Sequence, residues 1–276
     1  MQAEQSLREG RLQDALTELQ AQVRKEPANA KYRIFLFQLL SVLGQWERAL
    51  NQLNVLGEMD AETLPMVQTY REAVRCELLR AEVFAGHRSP LVFGDPEPWV
   101  ALLLEALRLT ADGHHAQAQA TRDQAFEAAA ATPGTLDGQP FAWLADADPR
   151  LGPVLEAIVN GRYYWIPFQR IRTIAFERPS DLRDYVWMPA QLTWANGGET
   201  VGLIPARYPG SQASADSLVQ LGRKTEWLEH EAGVYLGLGQ RMLATDQNEY
   251  SLLDVRRIDL DVSEAADPAA TDAEDG

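Results

Sequence analysis

The chain has one cysteine, Cys76, in 276 residues. No intrachain disulfide can form from it, and neither a four-cysteine zinc site nor a Cys-x-x-Cys redox pair is available. Long apolar runs are missing too: no stretch approaches the roughly 20 residues that span a bilayer. The opening MQAEQSLREG lacks the apolar core of a secretory leader. A cytoplasmic address with no membrane partner is therefore expected. Bases are scarce, 25 against 40 acids, which leaves a net charge of −15. Nucleic-acid binding needs a basic surface that displaces counterions, so no nucleic-acid partner is expected.

The acids are not spread evenly. Seven of them lie between Asp259 and Gly276, with no base among them. The closing SEAADPAATDAEDG has no large apolar residue from which to build a core, and 263–276 read as a disordered acidic tail.

What is present in the first half is helical periodicity. Gly10, Ala15 and Leu16 recur as Gly44, Ala49 and Leu50, an offset of 34 residues, the tetratricopeptide period. Glycine permits the tight turn between paired helices, and alanine lets the second helix approach the first closely. Leu36, Leu39, Leu40 and Leu43 make one helical stripe, and Trp46, Leu50, Leu53 and Leu56 the next. Residues 64–84 read as one long helix with Val67, Tyr70, Val74 and Leu78 on its stripe. After the breaker-rich HRSPLVFGDPEP, the segment 99–109 and an alanine-rich stretch to about Ala131 read as helices around Gly113. Gly113 falls 103 residues after Gly10, one off three periods, so the expectation is two clear repeats and a degenerate remainder.

Near Thr132-Pro133-Gly134 the period changes. Leu151, Leu155, Ile158 and Val159 fit a short helix. YYWIPF (163–168) and IRTIAF (171–176) then read as strands, and QLTWA (191–195) with TVGLI (200–204) as a hairpin closed by Asn196-Gly197-Gly198. Residues 234–238 and 257–262 alternate as strands do. No strand–helix–strand series suggests a doubly wound sheet. The expected architecture is α + (α+β): a TPR-like helical repeat domain (1–134), a small antiparallel β-rich α+β domain (135–262) and the tail (263–276).

Chemistry is hard to find. His114 and His115 are adjacent, about 100° apart on a helix, and cannot share a metal as an i,i+4 pair can. Glu226 and His230 in TEWLEHE have that spacing, yet an ordinary solvated helix explains them better. Cys76, inside an amphipathic helix, reads as a small buried hydrophobe, since a nucleophile needs a low pKa and a nearby base. GRKT (222–225) has the wrong order for a phosphate loop, and GVYLGLG (233–239) lacks the dinucleotide spacing. Asp146-Ala-Asp148 before Pro149 suits a helix start better than a calcium loop. Tyr163, Tyr164 and Trp165, with Arg162, Arg170 and Arg172 around them, read as core aromatics in an acidic protein and not as a stacking platform. No catalytic, cofactor or metal residues are assigned, and no enzymatic activity is expected.

Several whole phrases carry a resemblance: FLFQLLSVLGQWERALNQL (35–53), QTYREAVRCELLR (68–80), PLVFGDPEPW (90–99), DADPRLGPVLEAIVNGRYYWIPF (146–168), LRDYVWMPAQLTWANGG (182–198) and RYPGS (207–211). In order and spacing the chain resembles the ImpE/SciE family, also called TagJ, accessory proteins of bacterial type VI secretion. The resemblance covers all but the tail. It implies a non-enzymatic cytoplasmic adaptor that binds the small sheath subunit and, in some systems, the ClpV-type ATPase. The competing readings are an enzyme in the second domain, with His230, Glu226 and Glu229 as its residues, and a structural homo-oligomer.

Helical repeats receive a helix or peptide on their concave face, lined by the first helix of each pair. Here that helix is 30–43, with 64–84 beside it. Arg33, Phe37, Gln38, Arg71 and Arg75 lie off the apolar stripes and are the expected contacts: Phe37 as apolar anchor, the arginines as partners of carboxylates. For the tail, the composition predicts that truncation after Val262 leaves the melting temperature unchanged in differential scanning fluorimetry. A drop of several degrees would show that the acids dock onto the body.

Overall fold

Three helical hairpins are closed by the same turn. In each, a glycine adopts positive φ: Gly10 (75°), Gly44 (65°) and Gly113 (80°). In each, the next residue donates back to a carbonyl five residues earlier: Arg11 to Ser6 at 2.8 Å, Gln45 to Leu40 at 2.9 Å, His114 to Leu109 at 2.8 Å. This is the Schellman geometry that glycine permits without strain. The hairpins are α1 (Gln2–Arg8) with α2 (Leu12–Lys25), α3 (Ala30–Val42) with α4 (Trp46–Met59), and, after α5 (Leu64–Phe84) and the short β1 (Leu91–Val92), α6 (Pro98–Ala111) with α7 (His115–Ala128). The remainder expected to be degenerate is thus a third hairpin of the same design, set off register by the long α5 and its connection. The computed structural model describes residues 2–95 and 97–262. The acidic tail, 263–276, lies outside the described residues.

The second half is built from β2 (Gly134–Leu136), β3 (Gln139–Phe141), β4 (Leu144–Asp146), β5 (Val154–Val159), β6 (Arg162–Pro167), β7 (Ile171–Phe176), β8 (Trp187–Trp194) and β9 (Glu199–Pro205), then a helical turn α8 (Ser217–Gln220), then β10 (Thr225–His230), β11 (Val234–Gly239), β12 (Met242–Thr245), β13 (Glu249–Ser251) and β14 (Arg257–Leu260). Nine strands form one sheet in the order β1-β6-β5-β9-β8-β7-β14-β2-β3, antiparallel throughout except that β1 joins β6 in parallel. β4, β12 and β13 form a small second sheet, and β10 with β11 a separate hairpin.

The large sheet is covered on both faces. Val154, Ile158, Tyr163, Trp165, Trp187 and Leu203 pack into one core with the helices. Leu155, Ala157, Val159, Ile166, Met188 and Ile204, their neighbours along the strands, pack into a second core with Leu144 of β4 and Leu243 of β12. The expected helix at 151–159 is therefore wrong. β5 is buried at every position, and a strand buried on both faces shows a continuous apolar run that mimics a helical stripe. The stripe on α5 also needs correction. Val67, Tyr70 and Val74 are buried, but Leu78 is exposed and the polar Glu77 and Arg80 go inside.

Those two charges lock helices to sheet. Arg80 donates from Nε to Glu156 Oε1 at 2.6 Å, and from Nη2 to Glu156 Oε2 and to the Arg207 carbonyl, both at 2.9 Å. Tyr163 Oη and Arg241 Nη2 reach the same Glu156 carboxylate from the sheet side. Trp187 Nε1 donates to Glu77 Oε1 at 3.0 Å. Arg207, also buried, donates to the Val42 carbonyl at 2.8 Å, satisfying the C-terminal end of α3 where the helix dipole favours a cation. Removing one partner from such a network strands the other charges, at a cost of about 3–5 kcal/mol. Glu156→Ala is expected to lose stability on that scale in urea denaturation, whereas Glu105→Ala, which breaks an exposed pair with Arg108, should leave the urea midpoint close to the parent's. Equal losses for the two would show that the buried network does not hold the halves together.

Candidate partner-binding groove

The concave face of the repeats is not open. Phe37 of α3, Tyr70 of α5, Trp187 of β8 and Trp46 of α4 form one aromatic chain, with ring centroids 5.5 Å apart for Phe37–Tyr70, 5.7 Å for Tyr70–Trp187 and 5.9 Å for Trp46–Trp187. The 3₁₀ turn Leu182–Tyr185, ahead of β8, packs on α3. The sheet domain itself fills the place where a peptide would lie. Phe37 is 0 % exposed and is a core residue, so its expected role as an anchor is withdrawn.

What stays open is a groove of about 650 Å3 beside that contact, between α1, α3 and the segment 179–185. Leu7, Tyr32, Phe35, Leu182 and Tyr185 give it an apolar floor, and Gln38 lines it. On the rim stand Arg8, Lys31 and Arg223, all exposed. Glu4 and Asp181 also line it, and Asp181 accepts from Arg183 at 2.6 Å. The rim thus leans basic on a protein of net charge −15. Of the five expected contact residues, only Gln38 lines this groove. Arg33 turns to the Pro27 carbonyl (2.8 Å) and Gln52 Oε1 (3.1 Å). Arg75 is exposed and pairs with Glu72 at 2.6 Å, and Arg71 is half-buried. The groove itself was not foreseen, because Pro179–Tyr185 approaches α3 only through the tertiary fold.

Catalytic candidates fare differently. Glu226 and His230 lie on strand β10, where an i,i+4 pair is about 13 Å apart along the chain and shares no ligand; the expected helix there is wrong. Glu226 is engaged by Lys224 at 2.5 Å. His230 instead lies beside His115 of α7, ring centroids 4.8 Å apart and the planes tilted by 42°. Among the described residues no three His, Cys, Asp or Glu side chains are grouped to hold a metal ion. Cys76 is buried, and burial pushes its thiol up to about 12, the reverse of an activated nucleophile. Tyr163 and Trp165 are core, as their surroundings in the sequence suggested. Asp148 does not cap a helix: it holds Arg150 at 2.5 Å and accepts from the Gly237 N–H at 2.8 Å. Among the described residues no helix is long and apolar enough to cross a membrane.

Comparison with known proteins fits this picture. Residues 6–72 match a tetratricopeptide repeat and residues 138–259 match the ImpE protein family. The type VI secretion system accessory component TagJ of Pseudomonas aeruginosa is 58% identical over 265 residues, 96% of this chain and 93% of that protein. The chain belongs to the ImpE family. A crystal structure of protein VPA1032 from Vibrio parahaemolyticus shares the fold, with a TM-score of 0.86 at 26% identity, covering 94% of this chain and 97% of that one.

In this ImpE-family chain the phrases DADPRLG and RYPGS serve the interior. Tyr208 Oη donates to Asp146 Oδ1 at 3.1 Å, Arg241 Nε stands 2.9 Å from Asp146 Oδ2, and the Asp148 N–H donates to Oδ1 at 2.8 Å. Burial nevertheless lifts the Asp146 carboxyl from 3.8 to about 6, against the opposing pull of Arg241. The folded state therefore takes up a proton between pH 6 and 4 that the unfolded chain does not. This group's contribution favours folding at the acid end of that window and is lost as pH rises through 6. Asp146→Asn is expected to show a smaller rise in melting temperature than the parent between pH 7 and pH 5, read by scanning fluorimetry across a buffer series. Superimposable pH profiles would mean that Asp146 titrates normally.

Proposed function

We propose that this chain is a non-enzymatic, cytoplasmic accessory adaptor of a type VI secretion system, and that its groove receives a helix of the small sheath subunit. The observation that carries the reading is the groove itself: an apolar floor of Leu7, Tyr32, Phe35 and Leu182 bordered by Arg8, Lys31 and Arg223. Such a surface suits an amphipathic helix with acidic flanks, laid apolar face down. The name of the Pseudomonas aeruginosa relative, an accessory component of that system, supports the setting. A ClpV-type ATPase is the proposed second partner. No cofactor enters the proposal, since the perturbed groups are closed in by their own partners.

Rim charges steer encounter and pair across the interface, so reversing three of them should weaken binding at least about tenfold, or about 1.4 kcal/mol. Calorimetry of the purified small sheath subunit against Arg8→Glu with Lys31→Glu and Arg223→Glu is expected to show that loss at an unchanged melting temperature. Arg71→Glu with Arg75→Glu on α5 tests the other proposed contact face, together with Arg33. Loss only in the α5 variant would move the site there. Parental affinity in both folded variants would overturn the reading.

A further inference from the structure

A second opening lies between the end of α7 with the segment after it and β4. It is an apolar cleft of about 380 Å3. Phe126 of α7 and Trp143 ahead of β4 form its two lips, 37% and 39% exposed. Two large aromatics left facing water across a common cleft are the kind of apolar exposure that marks an interaction site.

The cleft is built from residues chosen small. β4 alternates, with Leu144 and Asp146 turned to the interior and Ala145 half-exposed on the opposite side, towards the cleft. Ala129, Ala244 and Gly152 also line it. Gly152 has φ of 53°, and a Cβ there would stand 2.4 Å from Phe126 Cε1. The Phe126 ring is seated on this glycine, which holds the lip in place. The other lip is fixed from below, because Asp246 Oδ1 accepts from the Ala142 N–H at 2.7 Å, one residue before Trp143.

Its charge is one-sided. No base lines the cleft, and Asp146, the one ionisable residue that does, keeps both oxygens on interior partners. Two exposed acids adjoin the lips: Glu127 follows Phe126 in α7, and Asp246 holds the amide of Ala142, one residue before Trp143. The Ala142 N–H bonded to Asp246 holds that carboxyl below its usual range, so it stays charged. Arg150, further along the turn, is taken by Asp148 at 2.5 Å. The rim is thus opposite in sign to that of the α1–α3 groove.

We infer that this cleft docks a segment of a partner protein that presents one or two large apolar side chains flanked by lysine or arginine. The apolar side chains enter between Phe126 and Trp143, and the flanking cations meet Glu127 and Asp246. This site is independent of the groove proposed above, so an adaptor of this design holds two segments of opposite charge at once.

The test uses the full chain and two dye-labelled amphipathic peptides with the same leucine-and-tryptophan face, one carrying lysines on its polar face and the other glutamates. In fluorescence polarisation at 0.15 M salt, Phe126→Ala with Trp143→Ala is expected to weaken the lysine peptide at least about tenfold while leaving the glutamate peptide, which suits the α1–α3 groove, at its parental affinity. Ala145→Leu, which fills the floor while keeping both lips, should weaken the lysine peptide as well. The groove variant with Arg8, Lys31 and Arg223 reversed should retain lysine-peptide binding. Parental affinity of the lip variant for the lysine peptide, or an equal loss for both peptides, would overturn the inference. So would a dimer in analytical ultracentrifugation that the lip variant dissociates, because the cleft would then be covered by a second copy.

Discussion

Glu156 is fully buried in the middle of β5, and the rest of the molecule is arranged around its charge. A carboxylate with no access to water must be matched by cations and hydrogen-bond donors, or the desolvation cost prevents folding. The donors come from both halves: Arg80 from α5, and Arg241 and Tyr163 from the sheet domain. Both halves contribute donors to the one carboxylate. The helices and the sheet are therefore bound into one unit, and Arg207 repeats the device by capping α3 from the sheet side. The ion pairs set geometry more than they add stability, because buried pairs return little beyond their own desolvation. The apolar contact of Trp187, Trp46, Tyr70 and Phe37 supplies the driving force at the same junction.

That junction changes what a tetratricopeptide array does here. In an open array the concave face is a receptor surface. In this chain the turn Leu182–Tyr185 and β8 occupy it, with Arg183 laid over the Tyr70 ring at 4.7 Å. The open grooves, where partner binding is proposed, lie at the borders of the filled region. The α1–α3 groove inherits part of the array and part of the sheet domain, and three bases against two acids line it although the protein as a whole is strongly acidic. Local clustering of a few arginines and lysines decides the sign of a surface, and net charge alone does not.

Much of this order was legible in the sequence, and the failures have a common cause. Gly10 and Gly44 fix the first two hairpins because a Schellman turn needs positive φ, and that requirement is local. The long α5 and the strands β6 to β9 follow from periodicity and from the Asn196-Gly197-Gly198 turn. β5 misled because both of its faces are buried, which removes the alternation that identifies a strand. β10 misled because Glu226, Glu229 and His230 are set by a hairpin and its exposed edge, where no apolar period is imposed. Phe37 was misplaced, and Glu77 and Arg80 were passed over, for one reason. Each lies off its helix's apparent stripe, and only the arrival of the sheet domain on that side makes it interior. The resemblance named the family; it did not reveal that the repeat face is filled from within.

The perturbed groups Asp146 and Cys76 are explained on the same physical grounds. A carboxyl lifted towards neutrality beside a tyrosine and an arginine is the signature of many active sites, and Asp146 with Tyr208 and Arg241 has that composition. Catalysis needs one more property: a face of the group must be free to meet a substrate. Asp146 has none, since Oδ1 accepts from Tyr208 and the Asp148 N–H while Oδ2 faces Arg241. The cleft beyond β4 meets Ala145 and the strand's backbone edge instead. The shifted pKa is thus the residue of burying a structural ion cluster, and the surface above it is apolar and shaped for contact. Cys76, with its thiol raised and its Sγ turned to the Gly161 carbonyl at 3.5 Å, follows the same rule. Asp146, Glu156, Arg80 and Arg241 are instead engaged with one another and with the backbone, and they hold the two halves in register.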